Sequence, residues 1–417
     1  MDGIYLYGSG DGEFNDLFGV AVSDTGQVYV ADSINNRIQR FDARLGAFLR
    51  VNQDDALAQA EKASEEAMSG VTGGLGLAVV FISILLAATT GIIGASITVM
   101  GVMALKPMLQ YGYSKRLTTG VIAASGCLGI LIPPSIMLIL MSSNSSLSVG
   151  ELFAGSMGPG IILGMLYAAY VALVALIRPD LAPSVAIDEK VSRGTLIRML
   201  ILEAMPPLVL IFGILGTMLA GIATATEASA IGAALALGIV IFRGRFEWAT
   251  FRSALYETAR TSAMILFIVV GATAFTGVFN ITGGLRATQE IIRGLDMEPW
   301  MLLTMMMFIV FLLGAFLDWT GIVLLSFPIF LPIVQEMGVS ELWFVVLTAV
   351  VLQTSFLTPP FGYALFYMRA LAPKDVSTGD IILGVLPFIG LIVLMALAIA
   401  FFPQLVTWLP ETLYQPK

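Results

Sequence analysis

Histidine is absent from this 417-residue chain, and cysteine occurs once, at Cys127. That excludes a disulfide framework, a Cys/His zinc site and histidine-based acid–base catalysis. Cys127 lies in an apolar run and reads as a small packing residue. Charge is scarce as well: charged residues make up 12% of the chain, roughly half the share of a soluble domain. No nucleophile–base pair stands out, so an enzyme is not expected. What is abundant is apolar. Hydrophobic residues make up 58% and mean hydropathy is +0.91, which places most of the chain in a lipid bilayer. The net charge of −8 owes much to the polar N-terminal quarter and the tails, so it says little about partners; no nucleic-acid partner is expected.

The first 49 residues differ in kind from the rest. Val20 with Val22 and Val28 with Val30 alternate as short strands between the turn signals SDTG and SINN, and this polar, strand-like start gives no sign of a cleavable leader. This stretch resembles one blade of an NHL-type β-propeller, a small β fragment that cannot bury its faces without further blades. Residues 50–73 are polar and Ala-rich and read as a linker or surface helix.

From residue 74 apolar segments follow closely, and most match the about 20 residues that cross a bilayer. They run roughly over 74–105, 117–142, 154–177, 199–220, 222–242, 261–280, 299–334, 342–368 and 380–402. Two are too long for one crossing and have polar, Gly-containing centres, ATTGIIGAS at 88–96 and GAFLDWTG at 314–321. Each is expected to dip in and return as a re-entrant helical hairpin. Two others are interrupted mid-way by Pro-Pro, at Pro133-Pro134 and Pro359-Pro360. Each proline removes a backbone donor and clashes with the preceding turn, so both segments are expected to be broken helices. Irregular backbone at membrane depth is tolerated where it lines a cavity, and paired broken segments point to a transport site.

The unit repeats. Pro133 and Pro359 lie 226 residues apart, as do Gly112 and Gly338. The second copy has three plain spans in front of its hairpin, so a full copy crosses five times, and an odd number inverts successive copies. The expectation is an all-α polytopic membrane protein of inverted repeats, with two re-entrant helical hairpins and two broken helices. Residues 74–177 form a partial first repeat, 178–198 a cytoplasmic loop, 199–402 a complete second repeat and 403–417 a tail. In place of the three spans, about 70 polar residues precede the first hairpin, so the chain reads as N-terminally truncated. Loop charge sets the orientation: Lys106, Lys115, Arg116, Arg178, Arg243, Arg369 and Lys374 fall inside, while loops 143–153 and 335–341 carry no Lys or Arg. The first hairpin then enters from the cytoplasm and the second from the periplasm.

Candidate site residues cluster at the hairpin centres and the breaks. Asp318 in the second hairpin carries a charge that costs about 2.5–3.5 kcal/mol at bilayer depth. It reads either as the cap of a half-helix or as a ligand for ion or substrate. Glu227 reads as a helix N-terminal charge. Thr89, Thr90, Gly91 and Ser96 belong to the first hairpin, and Thr320 and Gly321 to the second. Ser125, Gly129, Pro133, Pro134 and Ser135 surround the first break; Thr354, Ser355, Thr358, Pro359 and Pro360 surround the second. Such hydroxyls often bond back to the preceding turn, but their clustering favours a site. Unwound carbonyls and hydroxyls suit a hard monovalent cation such as sodium, and half-helix N-termini suit a carboxylate. The Met305–Met307 stretch reads as packing or lipid-facing.

The stretches ATTGIIGASITVMG (88–101), GCLGILIPPSI (126–136), GIATATEASAIGA (221–233), LDWTGIVLLSFPIFLPI (317–333) and LQTSFLTPPFGYALFYMRALAP (352–373) occur in this order. Over about 70–410 the chain resembles the large membrane subunit of TRAP (tripartite ATP-independent periplasmic) transporters. The resemblance implies a multi-pass protein of the bacterial inner membrane, importing a small organic acid such as a C4-dicarboxylate by sodium symport and an elevator mechanism. It implies sodium as coupling ion with no other cofactor. A small TRAP membrane subunit and a periplasmic substrate-binding protein would be its partners. The hairpin and break residues named above become sodium and substrate candidates. The alternatives are an elevator-type carboxylate transporter without a binding protein, and a non-functional truncated fusion.

Overall fold

A computed structural model describes residues 20–22, 28–32, 37–41, 72–91, 93–184, 205–244, 246–294, 297–360 and 362–414. The linker expected over 50–73 lies outside these residues except for its last two, and so does most of the 178–198 loop. Near the N-terminus three strands, β1 (Val20–Val22), β2 (Val28–Asp32) and β3 (Arg37–Phe41), form an antiparallel sheet in the order β1-β2-β3. Val20 is registered with Val30, and Val28 with Phe41.

The other described residues are mainly helical. The first hairpin consists of α1 (Gly74–Thr90) and α2 (Ile93–Gln110), which turns at Gly91 and carries a π-helical turn at Gly101–Leu105. A broken helix follows. α3 (Lys115–Cys127) ends in the 3-10 turn Leu128–Ile130, and α4 (Ile136–Ser143) restarts beyond the prolines. α5 (Val149–Ile177) closes the unit, started by a capping box between Ser148 and Glu151. Then come α6 (Met205–Leu219), α7 (Ala225–Phe242), α8 (Trp248–Ile281) and the short α9 (Gly284–Gly294). The second hairpin is α10 (Pro299–Gly314) with α11 (Trp319–Glu336). Its broken helix is α12 (Glu341–Leu357) with α13 (Tyr363–Leu371), closed by α14 (Thr378–Phe401) and followed by α15 (Gln404–Tyr414). Among the described residues, six helices are long and apolar enough to cross a membrane: α2, α5, α7, α8, α11 and α14. The order hairpin, broken helix, closing helix thus occurs twice, as the proline and length pattern requires.

One expected span changes. The apolar segment at 261–280 continues back to Trp248 as a single helix of 34 residues. Its first four turns carry Arg252, Glu257 and Arg260, whose polarity hides the helix from an apolar-run reading while leaving helix propensity intact. Glu227 is resolved as a cap: its carboxylate accepts from the Thr224 amide at 2.8 Å, and the Thr224 hydroxyl accepts from the Glu227 amide at 3.4 Å.

The two units interlock through glycine. A Cβ on Gly120 of α3 would lie 2.1 Å from the Gly384 carbonyl oxygen of α14, and one on Gly384 2.3 Å from that of Arg116. Only glycine lets these backbones touch, and the contact joins the first broken helix to the second closing helix. The ends of the bundle agree with the loop charges. Lys115 pairs with Asp375 at 2.9 Å and Arg116 with Asp380 at 3.4 Å, bringing two loops expected inside to one end. Glu341 accepts from the Ser146 amide at 2.8 Å, which joins the two loops expected outside. At that end Trp343 donates to the Ile399 carbonyl at 2.8 Å, and Trp300 meets Trp343 edge-on. By contrast α8 buries only Thr250 among its described side chains.

Candidate functional site: two hairpins against two broken helices

At the first break the chain leaves helix at Leu131 and re-enters it at Ile136. Pro133 and Ser135 are buried and Pro134 half-buried. The Ser135 hydroxyl donates to the Ile130 carbonyl at 2.6 Å and accepts from the Leu138 amide at 3.4 Å, which ties the 3-10 turn to the first turn of α4. Gly129 is buried in that turn. The first hairpin sits on this break. Gly91 has φ +59° and is buried, and a Cβ there would lie 3.3 Å from the Pro134 carbonyl oxygen. Ser96 is buried on α2, and the next residue, Ile97, packs against Gly126 of α3. Ser125, beside that contact, is fully buried with no hydrogen-bond partner for its hydroxyl. Thr89 and Thr90 end α1, and their side chains lie outside the described residues.

The second break is built differently. Thr358 follows α12 in extended backbone, and its hydroxyl donates to the Thr354 carbonyl at 2.6 Å. Thr354 donates to the Val351 carbonyl at 2.6 Å. These are the local back-bonds that apolar helices favour, yet each oxygen keeps lone pairs for another partner. Pro359 and Pro360 are exposed. The second hairpin holds this helix by its neck: a Cβ on Gly314 would lie 1.8 Å from the Ser355 Oγ. Ser355 is buried, and its hydroxyl has no hydrogen-bond partner. Asp318 caps α11, accepting from the Thr320 amide at 3.2 Å. Thr320 is buried, Gly321 half-buried, and the space around a Cβ on Gly321 is open to 4 Å.

Three further residues belong to this neighbourhood and were not among the sequence candidates. Gln353 is fully buried with both side-chain polar atoms unpartnered. Its sequence signal was a lone amide in an apolar run, five residues before the break. Tyr363 and Tyr367 lie one turn apart on α13, both half-exposed. The Tyr367 ring also lies against Gly94 of the first hairpin, where a Cβ would meet it at 2.5 Å. The first hairpin therefore reaches α13 just beyond the second break. Among the described residues there is no group of three or more His, Cys, Asp and Glu that could hold a metal ion. The oxygens available here are hydroxyls, carbonyls, one amide and one carboxylate, a donor set for a hard cation.

A family model described as "Tripartite ATP-independent periplasmic transporter, DctM component" matches residues 64–405. The chain belongs to the DctM family. DctM relatives include the C4-dicarboxylate TRAP transporter large permease protein of Pseudomonas aeruginosa, 28% identical over 345 residues, with 82% of this chain and 79% of the relative covered. Its counterpart in Rhodobacter capsulatus is 30% identical over 360 residues, covering 82% and 79%. The ectoine/5-hydroxyectoine large permease of Ruegeria pomeroyi is 28% identical over 352 residues, covering 82% and 78%. In fold, this DctM chain is similar to the crystal structure of the Alcanivorax borkumensis YdaH transporter, titled as having an unusual topology. The TM-score is 0.59 at 14% identity, with 93% of this chain and 95% of that one covered. An NHL repeat model matches residues 14–41, over the three strands. DctM proteins are transport proteins rather than enzymes, and this one is a multi-pass protein of the bacterial inner membrane.

Proposed function

We propose that this DctM chain is the permease of a sodium-coupled system that imports a small organic acid handed over by a periplasmic binding protein, with a small membrane subunit as its second partner. The observation that carries the reading is a pair of buried, unpartnered hydroxyls. Ser125 lies ahead of the first break and Ser355 at the second, each beside a hairpin. A buried hydroxyl without a partner costs about 1–3 kcal/mol, and a cation coordinated by its lone pairs offsets that cost. With the carbonyls freed at the breaks, such oxygens suit a dehydrated monovalent ion. Gln353 adds an amide oxygen of the same kind. The printed names of relatives cover C4-dicarboxylate, isethionate and ectoine, all small polar acids, which supports the substrate class. α6–α8 form the scaffold of an elevator, and the hairpins with the broken helices are the moving part.

The test is uptake of radiolabelled succinate and related acids into cells expressing the chain with its cognate small subunit and binding protein. Uptake driven by an imposed sodium gradient and dependent on the binding protein is expected. Uptake indifferent to sodium removes the coupling, and uptake without the binding protein favours a self-sufficient secondary transporter.

A further inference from the structure

We propose that Glu341 is the bolt of a door at the outer end of the second hairpin. It holds the end of α11 against the loop between α4 and α5, and when it lets go α11 bends at Pro328 and Pro332 and opens the cavity behind it. The proposal goes beyond the transport reading and requires neither sodium nor a substrate.

The bolt is one carboxylate shared by three elements. Glu341 stands at the start of α12. One of its oxygens accepts from the Ser146 amide at 2.8 Å; the other accepts from the Ser146 hydroxyl at 2.5 Å and from the Gln335 side-chain amide at 3.0 Å. Ser146 belongs to the loop between α4 and α5, and Gln335 to the last turn of α11. The first unit, the second hairpin and the second broken helix therefore meet at this residue. Loops 143–153 and 335–341 contain no lysine or arginine, so the bonds are those of neutral donors to a carboxylate. Ser146 and Gln335 are exposed, and water competes for such bonds. The closed door is one side of an equilibrium.

Behind the bolt lies a cavity of about 260 Å³, lined by residues 144–146, by Glu341 and by one stripe of α11. The stripe is Phe327, Pro328, Leu331, Pro332 and Gln335, residues that share a helix face. At 1.5 Å per residue it descends about 12 Å from Gln335 to Phe327. It contains the weakest part of the helix. Neither proline has an amide hydrogen, so the helical bonds to the Leu324 and Pro328 carbonyls are missing. Helices bend at such prolines, and here empty space adjoins the bend. Deeper in, the hairpin is fixed: Phe327 is fully buried, and Gly314 at the neck lies against Ser355. The arm is anchored at depth, weakened midway beside a cavity, and tied at its outer end by polar bonds alone.

The experiment uses the full chain in lipid nanodiscs and a membrane-impermeant maleimide. Leu331, only 6% exposed behind the bolt, is replaced by cysteine, and the fully buried Cys127 gives little background. Leu331→Cys should react slowly, and adding Glu341→Ala should raise the rate roughly tenfold by shifting the opening equilibrium. Gln335→Leu, which frees the arm alone, should raise it in the same direction and serves where Glu341→Ala fails to fold. Pro328→Ala with Pro332→Ala restores the helical donors and should slow the reaction again in either bolt variant. Unchanged Leu331→Cys labelling in both bolt variants overturns the proposal. An equal rise at Ser135→Cys, on the buried first break, also overturns it, because the whole bundle has then loosened. Labelling that stays fast after both prolines are replaced overturns the hinge.

Discussion

The two breaks share a sequence device and differ in how they are covered. At the first, Pro133 and Ser135 are buried and the hairpin turn at Gly91 lies against the Pro134 carbonyl. At the second, Pro359 and Pro360 are exposed, and the hairpin makes its close contact four residues short of its cap, between Gly314 and Ser355. One hairpin seals its break with its tip, and the other grips its helix by the neck. The difference places the accessible side of the candidate site at the second break, where Tyr363 and Tyr367 are half-exposed. Repetition in sequence sets the parts, while the neighbours of each part decide which copy closes.

The contrast can be broken most severely at the neck. Gly314→Val drives a side chain into Ser355, where a Cβ already falls at 1.8 Å. Overpacking of this kind costs about 1–3 kcal/mol, and thermal unfolding of the purified chain should show it together with loss of transport. Next in size is a paired glycine test at the tips. Gly91→Ala must hold φ +59° against the Pro134 carbonyl and should lose about 1–2 kcal/mol, whereas Gly321→Ala, with open space around it, should be neutral or slightly stabilising. Equal losses at both tips would mean that the second hairpin is also sealed. The exposure difference is sharpened by thiol labelling. Cys127 is fully buried and gives little background, so a membrane-impermeant maleimide should modify Tyr363→Cys far faster than Ser135→Cys.

The smallest effect lies away from the site. A hydrogen bond from the Lys115 ammonium holds the exposed Asp375 carboxyl below its usual value. A carboxyl lowered in the folded state adds stability above its unfolded value near 3.9, and loses it as pH falls through the folded value. Asp375→Asn should therefore flatten the stability profile slightly below about pH 4, and added salt should mimic it. A profile identical to that of the wild type would make the pair energetically silent.

Much of this architecture was legible in the residue order. The double prolines marked the breaks, and runs too long for one crossing, with Gly and Thr or Asp at their centres, marked the hairpins. Lys and Arg placement paired the loops that Lys115–Asp375 and Ser146–Glu341 bring together. Within the site, chain order could gather Ser125, Ser135, Thr354, Ser355 and Thr358 near the breaks. It could not separate the hydroxyls bonded to a preceding carbonyl from the two left unpartnered, because that depends on which side of a helix faces a hairpin. Tyr363 and Tyr367 stayed hidden for the same reason. Their spacing on α13 was visible, but only packing brings Gly94, distant in sequence, to that face. The full length of α8 was missed because its first turns are charged.

The central claim is that the oxygens at the two breaks hold sodium, and the thermal midpoint of the full chain in sodium against equal potassium tests it most directly. Binding to the folded state alone raises the midpoint with ligand concentration. The account predicts a higher midpoint in sodium for the wild type. In the Ser125→Ala, Ser355→Ala double variant the potassium midpoint should be unchanged or raised, since alanine removes two unsatisfied buried hydroxyls, and the sodium increment should disappear. A wild type with the same midpoint in both salts, or a double variant that keeps the full sodium increment, would contradict it.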